Sequence, residues 1–221
     1  MRAKITSALT SSLRLVAWVL PVFALIAMVA ANVPAAAIPG VSFGAIALVG
    51  MSLSLALAGR GPLLDRLMGG PDKAYIVHRE AGYLAVFGLI GHWMLASVGG
   101  PALVPALGDL AEEAGVFAAT GIVGLAAMSA LRMVPHHWWR KSHWLMGPLF
   151  AVSVFHSFFT PSPLAVMSAP WIVLVVASAM GLWGWARTLF PRTTPVTARV
   201  TKITRHPAAL EVEVQAHSDM P

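Results

Sequence analysis

Four histidines carry the chemistry this sequence offers. His78 and His92 stand 14 residues apart, and His143 and His156 stand 13 apart, all four within or at the ends of long apolar stretches. Clearly charged side chains cost at least ~2.5–3.5 kcal/mol in hydrocarbon, so an ionisable residue there needs a compensating partner. A neutral imidazole is cheaper to bury, and any one of these residues taken alone reads equally well as an interhelical hydrogen-bonder or a membrane-edge residue. The paired spacing says more. Fourteen steps at about 100° each return to within about 40° of the starting direction, with a rise of about 21 Å. Two facing helices decorated in this way offer two sites, each with one imidazole from either side: His78 with His143, and His92 with His156. Two bis-histidine haems stacked across a bilayer require that arrangement. Low-spin haem that only passes electrons needs both axial positions filled by strong neutral donors, so that iron changes oxidation state with little reorganisation. Thirteen steps leave about 140° of mismatch on an ideal helix. Gly147-Pro148 lies between those two histidines and can kink the helix; otherwise the second haem is rotated relative to the first.

The elements that must hold these residues follow from composition. Of the 221 residues, 57% are hydrophobic and 11% charged, where a soluble domain carries about 25% charged and 45–50% apolar residues. A water-soluble globule is excluded. Six apolar stretches can be drawn, at 13–33, 41–59, 81–98, 114–133, 142–160 and 164–190, the third extending back to near Tyr75. Each is near the ~20 residues needed to cross the hydrocarbon core. The expected fold class is an all-α membrane protein: a six-transmembrane helical bundle in residues 1–190, with a short cytoplasmic β-hairpin tail in 191–221. The chain has no cysteine, which excludes disulfides, thiolate metal sites, iron–sulfur clusters and covalent haem attached through C-x-x-C-H.

The net charge of +6 does not imply nucleic acid, and nothing in the chain reads as a nucleic-acid module; the position of the charges points to a lipid bilayer. Arg2 and Lys4 precede the first stretch and Arg14 lies at its start. Arg60, Arg66, Lys73 and Arg79 lie between the second stretch and the apolar part of the third, and Arg132, Arg140 and Lys141 lie at the end of the fourth or between it and the fifth. Arg187 lies at the end of the sixth, and Arg192, Arg199, Lys202 and Arg205 follow it. All 15 Lys and Arg thus fall on one side of a six-span arrangement, while Asp109, Glu112 and Glu113 fall on the other. The positive-inside rule then expects both termini in the cytoplasm, with loops near 34–40, 99–113 and 160–163 outside. Arg2 and Lys4, the apolar run from Leu13 and the small residues Ala35-Ala36-Ala37 also resemble a secretory signal. That run is longer than the ~7–15 residues of a signal core, which favours a retained first helix.

Around the histidines, Gly82, Gly88, Gly91, Gly121, Gly124, Ala126 and Ala127 leave space for a flat macrocycle or serve ordinary small-residue packing. Arg79, directly after His78, and Arg140 and Lys141, just before His143, either pair with haem propionates or only set the topology. His136 and His137 sit beside Trp138 and Trp139 as interfacial belt residues. His206 and His217 read as ordinary surface residues of the tail.

The segment His78-Arg79-Glu80-Ala81-Gly82-Tyr83, followed by His92-Trp93, resembles the H-R-x-x-G-Y…H signature of ferric reductase-like transmembrane domains, and His143-Trp144 through His156 is similar to that family's second histidine pair. The resemblance covers roughly residues 10–190. The family includes NADPH oxidases, ferric-chelate reductases and a bacterial haem subunit of a methionine sulfoxide reductase. The resemblance implies two haem b in a six-helix bundle, in a bacterial inner membrane, carrying electrons from the cytoplasm to an acceptor on the outer face.

The tail alternates with period two over 196–205, turns at 206–209 and alternates again over 210–216, which predicts a β-hairpin. It looks like the opening strands of the flavin-binding barrel that follows the membrane domain in reductase members of the family, or else is an independent amphipathic hairpin. There is no G-x-G-x-x-G opening a βαβ unit. A cytoplasmic flavin-containing reductase domain or partner is therefore expected to supply electrons, and FAD belongs to the system only if such a domain or partner provides its site. Two other readings stay open. A quinone-linked cytochrome b also holds two haems on spaced histidine pairs, although the hairpin tail and one-sided acceptor layout argue against it. A transporter using intramembrane histidines as relays lacks a reason for their matched levels, and no Asp or Glu lies deep in a span to support it.

Overall fold

The structure is a computed structural model that describes residues 27–29, 31–96, 99–130, 134–190, 198–207 and 209–216. The first apolar stretch, 13–33, lies outside these residues except at its end, and with it the choice between a retained helix and a cleaved signal; Arg2, Lys4, Arg14, Arg132, Arg192 and His217 lie outside them as well.

The described residues form seven α-helices and two strands from Ile38 onward. They are α1 (Ile38–Ala58), α2 (Pro62–Met68), α3 (Pro71–Leu95), α4 (Gly108–Ala130), α5 (His136–His143), α6 (Met146–Phe159), α7 (Ala169–Leu189), β1 (Ala198–His206) and β2 (Ala209–Ala216), with a 3-10 turn at Pro105–Leu107 ahead of α4. Proline opens most of the long helices: Pro39 in α1, Pro71 in α3, Pro148 in α6 and Pro170 in α7 all sit in first turns, where the missing N–H has no partner to lose. Between α2 and α3 the chain passes through Gly69 at φ 75° and Gly70 at φ 129°, values that favour residues without Cβ.

Among the described residues, three helical segments are long and apolar enough to cross a membrane: Ile38–Ala58, Pro105–Ala130 and Ala169–Leu189. They fall on the second, fourth and sixth expected stretches. The third, α3, is 25 residues long, but its first ten include Asp72, Lys73, Arg79 and Glu80. The fifth, expected as one helix over 142–160, is two. α5 ends at His143, residues 144–145 form a turn, and α6 begins at Met146. Pro148 is the physical reason, because a proline ring collides with the carbonyl four residues earlier, here that of Trp144. The backbone instead makes tighter bonds, Leu145 N–H to Ser142 O at 2.9 Å and Gly147 N–H to Trp144 O at 3.4 Å. The turn therefore precedes Gly147-Pro148, and His143 and His156 both meet their partners on α3 despite the ~140° mismatch of an ideal helix. α4 also starts before the expected position. Asp109, Glu112 and Glu113 lie in its first turns rather than in a loop, where acidic groups complement the helix dipole.

The first compact unit, residues 1–189, is built on close helix contacts. α1 packs along α3 on one side and α7 on another, and α4 packs along α6. A Cβ placed on Gly88 of α3 would lie 2.6 Å from the Ala47 backbone nitrogen of α1, and one on Gly184 of α7 would lie 2.5 Å from the Ala56 Cα. Small residues at these crossings let backbones approach, as in membrane bundles generally. Ala47, Leu89, Ala118, Ile122, Leu125 and Leu149 bring α1, α3, α4 and α6 into one core; Ala45, Leu48, Phe150 and Leu174 join α1, α6 and α7 in another. Large apolar side chains face outward, among them Tyr83, Phe87 and Met94 of α3, Phe117 of α4 and Val176 and Trp183 of α7. An exposed apolar perimeter of this extent fits lipid.

The second unit, residues 190–221, is an antiparallel hairpin in which Val200 pairs with Val214, Ile203 with Val212 and Lys202 with Glu213. A bulge between Val200 and Lys202 keeps Val200 and Ile203 on one face despite their odd spacing. Val200, Ile203, Val212 and Val214 are all exposed.

The close crossings make a testable contrast. Gly88→Ala forces α1 and α3 apart and should lower stability by about 1–3 kcal/mol, the usual cost of overpacking. Gly124→Ala, where a Cβ meets nothing within 4 Å, should leave stability unchanged or raise it by up to about 1 kcal/mol. Thermal unfolding of the two variants in detergent checks the opposite signs.

Candidate functional site

The four histidines meet in two pairs. The ring centroids of His92 and His156 are 6.1 Å apart with planes inclined at 68°; those of His78 and His143 are 6.4 Å apart at 70°. α3 supplies His78 and His92 from opposite ends. α6 supplies His156, and the last residue of α5 supplies His143.

Each ring is held from behind. His92 Nδ1 donates to Gly40 O of α1 at 2.8 Å, and His156 Nδ1 donates to Ala111 O of α4 at 2.9 Å. His78 Nδ1 donates to Ser54 O of α1 at 2.8 Å, while the Ser54 hydroxyl returns a bond to His78 O at 3.1 Å. A carbonyl oxygen only accepts, so in these three rings Nδ1 bears the hydrogen and Nε2 keeps its lone pair. His143 differs, since its Nδ1 faces the Ser129 hydroxyl of α4 at 3.4 Å and its ring stacks on Trp139 at 5.2 Å.

The backbone geometry behind this is regular. Gly40 and Ser54 are 14 apart on α1, and their partners His92 and His78 are 14 apart on α3, as antiparallel helices in register demand. Glycine then clears room for each ring at one end. A Cβ on Gly44 would sit 2.9 Å from His92 Nδ1, and one on Gly115 would strike the His156 ring. Gly44 lies one turn beyond Gly40 and Gly115 one turn beyond Ala111, so α1 and α4 use the same device. Between His92 and His156 lies a cavity of ≈ 270 Å³ whose lining includes both rings, Gly40, Gly44, Glu112 and Gly115.

The pairs fit a shared metal ion. Two imidazole nitrogens each about 2 Å from one ion place the ring centroids roughly 6 Å apart. Among the described residues no group of three or more His, Cys, Asp or Glu could hold a metal, so protein side chains alone complete no zinc-type shell. Two facing imidazoles whose Nδ1 atoms are tied back would instead suit a group that brings its own remaining donors, such as an iron porphyrin.

The remaining sequence-derived residues are placed as follows. Arg79 is exposed on α3 next to His78, and Arg140 and Lys141 are exposed on α5 just before His143. His136 and His137 lie against Trp139 and Trp138. His206 pairs with Glu211 in the hairpin at 3.1 Å. Of the glycines read as space for a macrocycle, Gly88, Gly91 and Gly121 abut Ala47, Phe43 and Leu149, a Cβ on Gly82 would meet Ser54 Oγ at 3.9 Å, and Gly124 faces open space. Gly44, Gly115, Ser54 and Ser129 went unnoticed in the sequence. The available signal was their register opposite the histidines, which needs the helix pairing to be known.

The model of the family described as ferric reductase like transmembrane component matches residues 43–154, a narrower stretch than the 10–190 expected. It takes in His78, His92 and His143 and stops just short of His156. No curated protein matches the chain. The match spans half of the sequence, includes three of the four paired imidazoles and runs through apolar helices: the chain is a membrane protein of the ferric reductase-like transmembrane family.

Proposed function

We propose that this chain carries electrons across the membrane through two b-type haems, one held by His78 and His143 near the cytoplasmic face and one by His92 and His156 near the outer face. The family supports a transmembrane oxidoreductase. The observation that carries the finer reading is the pair of opposed imidazoles at each of two levels, 6.4 Å and 6.1 Å between centroids, with Nδ1 tied back and Nε2 free. The bound groups would supply one-electron chemistry at iron. The chain's part is to fix the two donors of each site. The carbonyls of Gly40, Ser54 and Ala111 orient three rings and raise their basicity, and Gly44 and Gly115 keep backbone close without crowding them. Arg79, Arg140 and Lys141 put positive charge beside His78 and His143, suited to carboxylates at that end.

The six-span arrangement with both termini in the cytoplasm belongs to this reading, on the strength of the one-sided distribution of Lys and Arg. A cytoplasmic flavin-containing reductase domain or partner would donate the electrons, drawing them from NAD(P)H. The exposed apolar row of the hairpin, Val200, Ile203, Val212 and Val214, suits strands that continue into a flavin-binding barrel. The acceptor would stand on the outer face.

Purified protein should bind two haems per chain by visible absorption and pyridine haemochrome assay, and His92→Ala should retain only one. A wild-type chain with no Soret band after supply of haemin would overturn the proposal and favour a relay role for the histidines. Gly115→Val keeps all four imidazoles but drives a side chain into His156; outer-haem affinity should fall about 10–100-fold, the usual loss when ligand support is disturbed. Gly124→Val should keep both haems, and haem titration of the two variants separates the outcomes.

A further inference from the structure

Three of the four imidazoles donate to backbone carbonyls at 2.8–2.9 Å. The fourth, His143, has a side chain as its partner and a longer contact, 3.4 Å to Ser129 Oγ. That oxygen is already engaged twice. Its own hydrogen is donated to Leu125 O at 2.8 Å, and it accepts the Trp139 indole N–H at 2.9 Å. With its hydrogen committed, Ser129 can only accept from His143, so His143 Nδ1 carries the hydrogen here as well. The indole holds the shorter bond and draws on the same oxygen. The His143 contact is therefore the longest of the four, and its acceptor is shared with the indole.

We propose that Ser129 and Trp139 are positioning residues that set the reduction potential of the inner haem through His143, an inference that rests on the haem reading above. A stronger bond from Nδ1–H makes an imidazole a better donor to oxidised iron and lowers the potential; a weaker bond raises it. The indole, by competing for the hydroxyl, holds the inner potential above the value that an unshared acceptor would give. The remaining histidines have no comparable adjustment, because a backbone carbonyl cannot be exchanged by substitution.

The shared oxygen gives the two residues opposite effects. Trp139→Phe keeps an aromatic ring against His143 but removes the indole N–H, so the Ser129 oxygen accepts from His143 alone and the inner potential falls. Ser129→Ala deletes the acceptor, and the potential rises. Ser129→Thr restores a hydroxyl and returns the value toward that of the parent. Each shift should be about threefold in the reduction equilibrium, about 30 mV for a one-electron couple. Redox titration followed by visible absorption, in the full chain carrying His92→Ala so that only the inner haem is present, reads the shifts directly. Shifts of the same sign in Trp139→Phe and Ser129→Ala, or unchanged potentials with haem retained, overturn the proposal and leave a packing role. Should Ser129→Ala lose its haem, Trp139→Phe decides alone: a fall supports the proposal, and a rise or no change overturns it. A parent chain that binds no haem overturns the haem reading and this inference together, an outcome distinct from haem-loaded variants that fail to shift.

Discussion

A neutral imidazole has one N–H and one lone pair, and inside hydrocarbon the N–H must find an acceptor or cost several kcal/mol. In a helix nearly every carbonyl is already bonded within the helix, yet a carbonyl oxygen has a second lone pair. Gly40, Ser54 and Ala111 use that second lone pair for His92, His78 and His156. Reaching it requires the neighbouring helix to approach closely, which requires small residues along the crossing. The glycines of α1, α3 and α4, the antiparallel register and the direction in which Nε2 points all follow from satisfying one N–H per ring without water.

The same constraint explains why α1 is so well packed although it contributes no histidine. It runs between α3 and α7, with Ala45, Ala47, Leu48, Ser52, Ala56 and Leu57 buried along its length. A helix that presents two carbonyls to two rings 14 residues apart cannot twist or slide without losing both bonds. Gly88 against Ala47 and Gly184 against Ala56 fix it from two sides. At its C-terminal end, Arg187 of α7 donates to Gly59 O at 3.3 Å and lies over Trp183, which ties the end of one helix to the end of the other.

Much of the site was legible from residue spacing because α3 is a continuous helix. The interval from His78 to His92 translates directly into direction and rise, and the pairing with His143 and His156 followed from matching levels. The fifth stretch was less legible. Its 13-residue interval could not be read as a helical angle, since Pro148 forces a break at Trp144 that belongs to neither ideal geometry. The acidic residues Asp109 and Glu112 were placed in a loop because apolarity, not capping, was used to find the start of α4; Pro105 and Asp109 marked the true start. Gly44 and Gly115 were invisible for another reason. Their role depends on which residue of another helix stands opposite, and no single helix records that.

The division of α5 from α6 has a mechanical consequence. His78 and His92 ride on one rigid rod, so any tilt of α3 moves both together. His143 and His156 are separated by the turn at 144–145, and a short helix rich in Trp, Arg and Lys carries the former. Across that turn the ladder continues through the tighter bonds of Leu145 N–H to Ser142 O and Gly147 N–H to Trp144 O, so the two imidazoles are not carried by one run of α-helix. The chain thus holds its two histidine pairs with one continuous rail on one side and a two-piece rail on the other.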